Sequence, residues 1–514
     1  MTRVCSVWAA CIAVAAAQSA CVRAKTTSAP APAPAIALPV ASPAAPPALV
    51  DSSRAVVVIQ ADGADVDWSA PWGSGKPWTR TLTGLAIEGR RILVSGWGLR
   101  NHRHVEVQKP GAIARVPARV LLFDVDAGLA MLVVDDPGFW DGVELASLSP
   151  ALPAPRPVKL WHAAAEGMRL ESSEGVVSRF EVSGRCDFVH MKISQVDAQR
   201  VGVSDVVSVD GRVAGLVMSW SNGEVYAIGS RTLADFATDV SHPPYRGCAT
   251  ADFMGQKLSN PALRASLGLG PDDGGWLVSE VSPLGSSSGS LETGDVILSV
   301  GGTKIDSDGT YADPGAGRLS YASLFSQGHH PGDAIAVELV RHGERQRASV
   351  VLKRWPGEQT LVPWFGPDPP GYTVRGGLVF QRLSHEYLLT FGKDWENKAP
   401  SRILEPYELE RWSSSSERPG VIVLSGVLPV AATLGYEHIG SLVVDRVNGQ
   451  PARSLDDVRA AFARPTGGFH VVTFLPGQGV ARIVLDAKET KDADASIREK
   501  YHVEEEGVGP ATPH

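Results

Sequence analysis

The chain has 514 residues, 44% of them hydrophobic and 20% charged, with a formal net charge of −8. That is the composition of an ordinary globular protein, long enough for three or four domains with buried cores. No run of lysine and arginine forms a stripe able to neutralise phosphates, which excludes nucleic acid as the main partner.

Arg3 and the apolar run VCSVWAACIAVAAA make residues 1–20 a secretory signal, too short to span a bilayer, so the protein is expected to be exported. Ser19 and Ala20 precede Cys21 as they would a lipid-modified cysteine, while Gln18 stands where an apolar residue is usual; lipid anchoring and free secretion both stay open. Residues 21–50 are rich in alanine and proline, cannot pack a core, and read as an extended tether. Beyond Cys21, the mature chain keeps Cys186 and Cys248, a pair that an oxidising compartment would allow to bond but whose spacing does not establish a bond. No C-x-x-C or His/Cys cluster suggests a metal, no cofactor is implied, and His102, His104, His329 and His330 read as surface histidines.

From about 54 to 240, short β-branched runs such as RAVVVIQ, RRILVSG, ARVLLFDV and RVAGLVMSW alternate with Gly, Pro and Asp turns, the pattern of an all-β barrel protein. TLADFATDV predicts a short helix leading out. Next come a helix in NPALRASLGLG with a glycine stop, a strand in GGWLVSEV, and a turn and hairpin in LETGDVILSVGGTKI with Gly294 and Asp295 at the turn. GVIVLSGV and HIGSLVVDRVNGQPA repeat that strand order, and SLDDVRAAFAR predicts an amphipathic helix capped by Ser454. Residues 491–514 read as an acidic, solvated tail.

Three stretches carry a family resemblance. TGLAIEGRRILVSGWG resembles the HtrA/Deg serine protease segment that holds the general-base histidine, DVDAGLAMLVVDDPGFWDGV the aspartate segment, and MKISQVDAQRVGVSDVVSVDGRVAGLV the nucleophile segment. With SSEGVVSRFEV, LETGDVILSVGG and LVFQRLSHEYLLTFGKDWENKAPSRIL in the same order, the chain is most similar to the plant-organelle Deg branch. The resemblance implies a mostly β protein: a trypsin-like double β-barrel over 51–245, a first PDZ domain over 250–355 and a second, divergent one over 356–490. It also implies homotrimers or multiples of trimers, and the aromatic segment DWSAPWGSGKPW, placed before the first barrel strand, is a candidate for that contact.

The histidine, aspartate and serine positions fall on Trp97, Gly128 and Gly202. An indole donates but accepts no proton, and two glycines offer no carboxylate or hydroxyl, so no catalytic residue is expected there. A relocated set of His104, Asp126 and Ser204, with His102 and Asp124 as substitutes, is the alternative. It demands three compensating shifts, since two residues of strand span about 6–7 Å while base and nucleophile must meet at about 3 Å. The bland reading of Asp126 and Ser204 is turn chemistry. Oxyanion-hole geometry is also in doubt where Val201 and Val203 replace glycines. Phe253, Met254, Gly255 and Gln256 are the nearest match to the φ-Gly-φ loop with which a PDZ domain binds the terminal carboxylate of a peptide. The expected function is an exported pseudoprotease of the cell envelope or periplasm, a scaffold for unfolded or C-terminal peptide segments. An active endopeptidase with a relocated triad and a non-catalytic partner of a catalytic Deg paralogue are the alternatives.

Overall fold

The computed structural model describes residues 52–507, except 147, 149–153, 165–167, 198, 271, 367, 502 and 504–505. The signal, the tether and Cys21 lie outside the described residues.

Two β-structures come first. In the first, β1 (Val56–Val66), β2 (Ser74–Ile87), β3 (Arg91–Ser95), a one-turn helix α1 (Gly96–Leu99), β4 (His102–Gln108), β5 (Arg115–Pro117), β6 (Arg119–Asp124) and β7 (Leu129–Val133) follow one another. The strands pair antiparallel in the order β5-β4-β1-β2-β3-β7-β6. Their core holds Val57, Ile59, Val94, Leu99 and Leu132. In the second, β8 (Arg156–Ala163), β9 (Leu170–Ser183), β10 (Phe188–Ser194), β11 (Val206–Val209), β12 (Arg212–Ser221) and β13 (Glu224–Gly229) close into a barrel in the order β10-β13-β12-β11-β8-β9. Closure leaves that barrel no edge. Leu85, Leu93, Leu129 and Met131 of the first unit share a cluster with Val206, Leu216 and Ile228 of the second, so the two, the first left open between β5 and β6 and the second closed, pack as a double barrel. The helix expected in TLADFATDV is α2 (Ser230–Ser241), which sinks Leu233 and Phe236 into that shared cluster.

A third sheet has the order β14-β15-β16-β20-β21, built from β14 (Phe253–Lys257), β15 (Trp276–Val281), β16 (Val296–Val300), β20 (Ala334–Arg341) and β21 (Glu344–Val351); β17 (Thr303–Lys304) pairs with β16. Helix α3 (Pro261–Ser266) is capped by Asn260 and stops at Gly268, whose φ of +74° suits glycine. The hairpin β18 (Thr310–Asp313) and β19 (Gly317–Ser320) precedes the one-turn α4 (Ser323–Ser326). A disulfide joins Cys186, in the β9–β10 turn, to Cys248 ahead of β14, with Cα atoms 5.8 Å apart. His330, expected at the surface, is largely covered, its Nδ1 3.0 Å from the Gly247 carbonyl.

The last sheet runs β28-β27-β25-β24-β23-β22-β29. Its elements are β22 (Tyr372–Arg375), β23 (Leu378–Arg382), α5 (His385–Leu389), α6 (Trp395–Lys398), α7 (Ser401–Glu408), β24 (Ile422–Val427), β25 (Leu442–Val447), β26 (Gln450–Pro451), α8 (Leu455–Phe462), β27 (Phe469–Phe474), β28 (Arg482–Asp486), α9 (Ala487–Tyr501) and β29 (Glu506–Gly507). Ser454 closes a capping box with Asp457 at the start of α8.

Two expectations are corrected here. The described residues after 490 are not a solvated tail: α9 buries Thr490, Ala493 and Ile497, Val503 is 1% exposed, and β29 pairs with β22. The three covered helix positions recur at helical spacing inside an otherwise charged stretch, which hid them. DWSAPWGSGKPW lies not before the first strand but after β1, its Ser74–Trp78 stretch opening β2, and its first half reaches the last sheet of its own chain. There Trp68 stacks on Phe365 with centroids 6.5 Å apart, Gln381 donates to the Trp68 carbonyl, and Trp72 meets Tyr372 edge-on.

Candidate functional site

The groove between the barrels is built from α1, the start of β7 and the turn before β11. Trp97, 41% exposed, stands on α1, and its ring reaches over Gly128. Gly128 has φ +65°, and a Cβ added to it would lie 2.6 Å from Trp97 Nε1 and 2.9 Å from Met218 Cε. The indole therefore fills the room an aspartate side chain would need, and the two positions are fitted to each other.

The turn at Gly202 is closed in a different way. A trypsin-like oxyanion hole uses the N–H of the nucleophile position and that of the residue two before it, here Gly202 and Arg200. The Gly202 N–H donates to Asp205 Oδ2 at 2.8 Å and the Arg200 N–H to the Asp197 carbonyl at 3.0 Å. Both donors are taken up by partners within the same turn. Asp205 is 3% exposed, and burial pushes its carboxyl well above the usual range, against the pull of the Gly202 N–H. Sequence reasoning missed this residue: only the turn geometry reveals that its side chain folds back on the Gly202 N–H.

His104, Asp126 and Ser204 are not brought into contact by hydrogen bonds. His104 is exposed on β4, with Nε2 3.5 Å from Glu106. His102 Nδ1 is 2.8 Å from the Leu99 carbonyl. Asp126 pairs with Arg185 at 3.1 Å, its carboxyl raised by burial and by Asp124, against the attraction of Arg185. Asp124 accepts the N–H groups of Asp126 and Ala127, fixing the turn before β7, and is paired with Arg354. Ser204 is wholly buried at φ +75°. Its hydroxyl donates to the Thr83 carbonyl at 2.7 Å and accepts the Ser95 N–H at 3.1 Å, tying β2 and β3 to the second barrel. The left-handed position thus falls on the serine, not on Val201 or Val203.

Phe253, Met254, Gly255 and Gln256 form β14 rather than a loop, in register with β15 from Phe253↔Val281 to Gln256↔Leu277. Gly255 answers to packing: its missing Cβ would sit 1.9 Å from Trp276 Nε1. The Phe253 ring stacks on Tyr321 and meets Phe325 of α4 edge-on, Met254 is exposed, and the outer edge of β14 carries no ladder strand among the described residues. An extended peptide can add to such an edge through main-chain hydrogen bonds. Among the described residues no group of three or more His, Cys, Asp or Glu is placed to hold a metal ion, and no helix is long and apolar enough to cross a membrane.

Comparison with known proteins bears on this geometry. The PDZ domain family matches residues 366–507. The chain is 27% identical over 415 residues to protease Do-like 2, chloroplastic, of Arabidopsis thaliana (78% of this chain, 66% of the relative). It is 24% identical over 398 residues to putative protease Do-like 3, mitochondrial, of the same plant (75% and 67%). It is also 28% identical to the serine protease DegP homolog of Plasmodium falciparum over 225 residues (42% and 26%). The chain thus spans about two thirds or less of the length of these relatives. Among solved structures, the HtrA-type protease AlgW with decapeptide is 15% identical, with TM-score 0.44, 60% of this chain and 97% of the other being covered. For the serine endoprotease from Yersinia pestis the values are 15%, 0.39, 59% and 96%.

Proposed function

We propose that this chain, an HtrA/Deg (protease Do-like) relative carrying a PDZ domain at its C-terminal end, binds extended polypeptide segments without cutting them. The observation that carries the reading is the packing of the Trp97 indole on Gly128, where a base and its carboxylate would have to stand. Hydrolysis by this fold needs a proton acceptor beside a hydroxyl and free donors for the developing oxyanion. The indole nitrogen only donates, Gly202 brings no hydroxyl, and Asp205 holds the Gly202 N–H. What the fold offers instead is the open edge of β14, with Phe253 and α4 beside it, as a seat for unfolded or C-terminal segments.

The proposal extends to location and assembly. After loss of residues 1–20 the protein works in the cell envelope, tethered through residues 21–50, with Cys21 as the site of a lipid anchor; the disulfide between Cys186 and Cys248 suits an oxidising compartment. Trimers, alone or mixed with a catalytic Deg paralogue, are the proposed assembly. Purified protein is tested on casein and with a fluorophosphonate probe. Neither turnover nor labelling is the expected result; turnover together with labelling of Ser204 would establish an endopeptidase instead. Co-purification from the native envelope separates an independent binder from a subunit of a mixed assembly.

A further inference from the structure

Beside Trp97 a cleft of about 910 Å3 opens between the barrels, the segment entering β14, and Trp355 and Trp364. Its charges are lopsided: Asp126, Glu181, Asp187 and Asp252 line it against one cation, Arg185. Arg185 is already committed, paired with Asp126 at 3.1 Å and lying 3.9 Å from the Trp364 ring centroid. Asp252 accepts from Thr250 Oγ1 at 2.7 Å and from the Ser286 N–H at 3.2 Å, and Glu181 pairs with Arg179 at 3.4 Å.

Two acceptors are left over. The Asp187 carboxylate takes no hydrogen bond from any described residue, although it sits in a left-handed turn at φ +48° that fixes its place on the wall. His190, only 8% exposed, lies with Nδ1 3.0 Å from the Phe188 carbonyl and 3.0 Å from Ser183 Oγ. A carbonyl can only accept, so Nδ1 carries the proton. Nε2 then presents a lone pair that no described residue fills, and the same tautomer prevents this imidazole from taking the Ser183 proton at Nδ1. Burial lowers the His190 pKa, keeping that ring neutral. Around these acceptors stand the faces of Trp97, Phe188 and Tyr226. Surplus carboxylate, an unused imidazole lone pair and aromatic faces together suit a ligand that is cationic, rich in N–H donors and carried on an apolar stem.

We propose that this cleft receives the lysine or arginine side chain of an extended polypeptide. The inference rests on the segment-binding reading above and adds a second contact apart from the β14 edge, one that selects for a basic residue. Asp187 is the principal anchor. Burial and the neighbouring Asp252 raise its carboxyl to about 7. The other titratable groups facing it are Asp126 after β6, Glu181 on β9, Arg185 in the same turn, His190 on β10, Tyr226 on β13 and Tyr321 beside α4. A cation is held by the ionised form, so affinity rises as pH passes upward through 7.

The test uses the full chain and Ala-Ala-Lys-Ala-Ala, acetylated and amidated, with Arg, Leu and Glu counterparts, followed by calorimetry and tryptophan fluorescence. Blocked ends leave nothing for terminal-carboxylate docking, which is measured separately with free-ended peptides; failure of one leaves the other standing. The basic peptides are expected to bind about tenfold or more tighter than the Leu and Glu peptides, the scale of a charged hydrogen bond at a desolvated site. Their affinity rises by roughly tenfold between pH 6 and 8, as the ionised fraction of a group titrating near 7 does. Asp187→Asn, which tolerates the left-handed turn and leaves thermal unfolding in place, abolishes both the preference and its pH dependence. Equal affinity for the Lys and Leu peptides, or an unchanged preference in a folded Asp187→Asn variant, overturns the proposal.

Discussion

Restoring the missing carboxylate by Gly128→Asp tests the groove most directly. Residue 128 has φ +65°, and the new Cβ would lie 2.6 Å from Trp97 Nε1 and 2.9 Å from Met218 Cε. The left-handed backbone costs an aspartate about 1 kcal/mol and overpacking about 1–3 kcal/mol more, a destabilisation of about 2–4 kcal/mol in all. Only the second part involves the indole. In a Trp97→Ala background the indole's share of the overpacking disappears and only the Met218 contact remains, so a double-mutant cycle read by denaturant unfolding should give a coupling of about 1–2 kcal/mol. Additivity within about 0.5 kcal/mol would refute the claim that these two positions are fitted to each other. The Trp97→His, Gly128→Asp double variant should still leave casein intact, because Gly202 supplies no nucleophile and its N–H stays with Asp205.

Three further outcomes are expected. Ser204→Ala removes both hydroxyl bonds between the barrels and strands the Ser95 N–H, lowering stability by about 2–3 kcal/mol in denaturant titration while peptide binding persists; a loss under 0.5 kcal/mol would deny the serine its joining role. The folded-state pKa of Asp205 is raised, so its stabilising effect is complete below the ordinary carboxylate range and is lost as pH rises through the folded value. Asp205→Asn should accordingly be more stable than the parent at pH 8 and lose that advantage toward pH 4, as thermal unfolding across pH would record. Replacing Cys186 and Cys248 together by serine opens a loop of 62 residues, for which chain entropy gives about 4 kcal/mol; matching parent and variant midpoints under non-oxidising and oxidising conditions alike would contradict a formed bond.

The double barrel was legible because its strands announce themselves by β-branched runs between Gly, Pro and Asp turns, and Trp97, Gly128 and Gly202 were legible because flanking segments resemble a known frame. What hid was anything decided by how side chains meet once the chain is folded. Asp205 looks like a turn residue until its carboxylate is seen on the Gly202 N–H. Gly255 suggested a ligand loop because glycine usually signals unusual backbone, yet here it yields space to Trp276 on the neighbouring strand. The tryptophan-rich segment DWSAPWGSGKPW suggested an assembly contact because the receiver of Trp68, Phe365, lies some three hundred residues away in the chain. Helix α9 vanished into its own charges, since three covered side chains in fifteen residues leave little hydrophobic signal.

That closing segment has a practical bearing. Glu506 and Gly507 lie along Tyr372 and Thr373 like a hem on cloth, and Ile497 and Val503 roof the apolar side of Tyr372, Val374 and Val379. Shortened to residue 490, the protein would bare a raw sheet margin beside an uncovered greasy face, a combination that invites chains to stick to one another. Any trimming should therefore stop beyond residue 507.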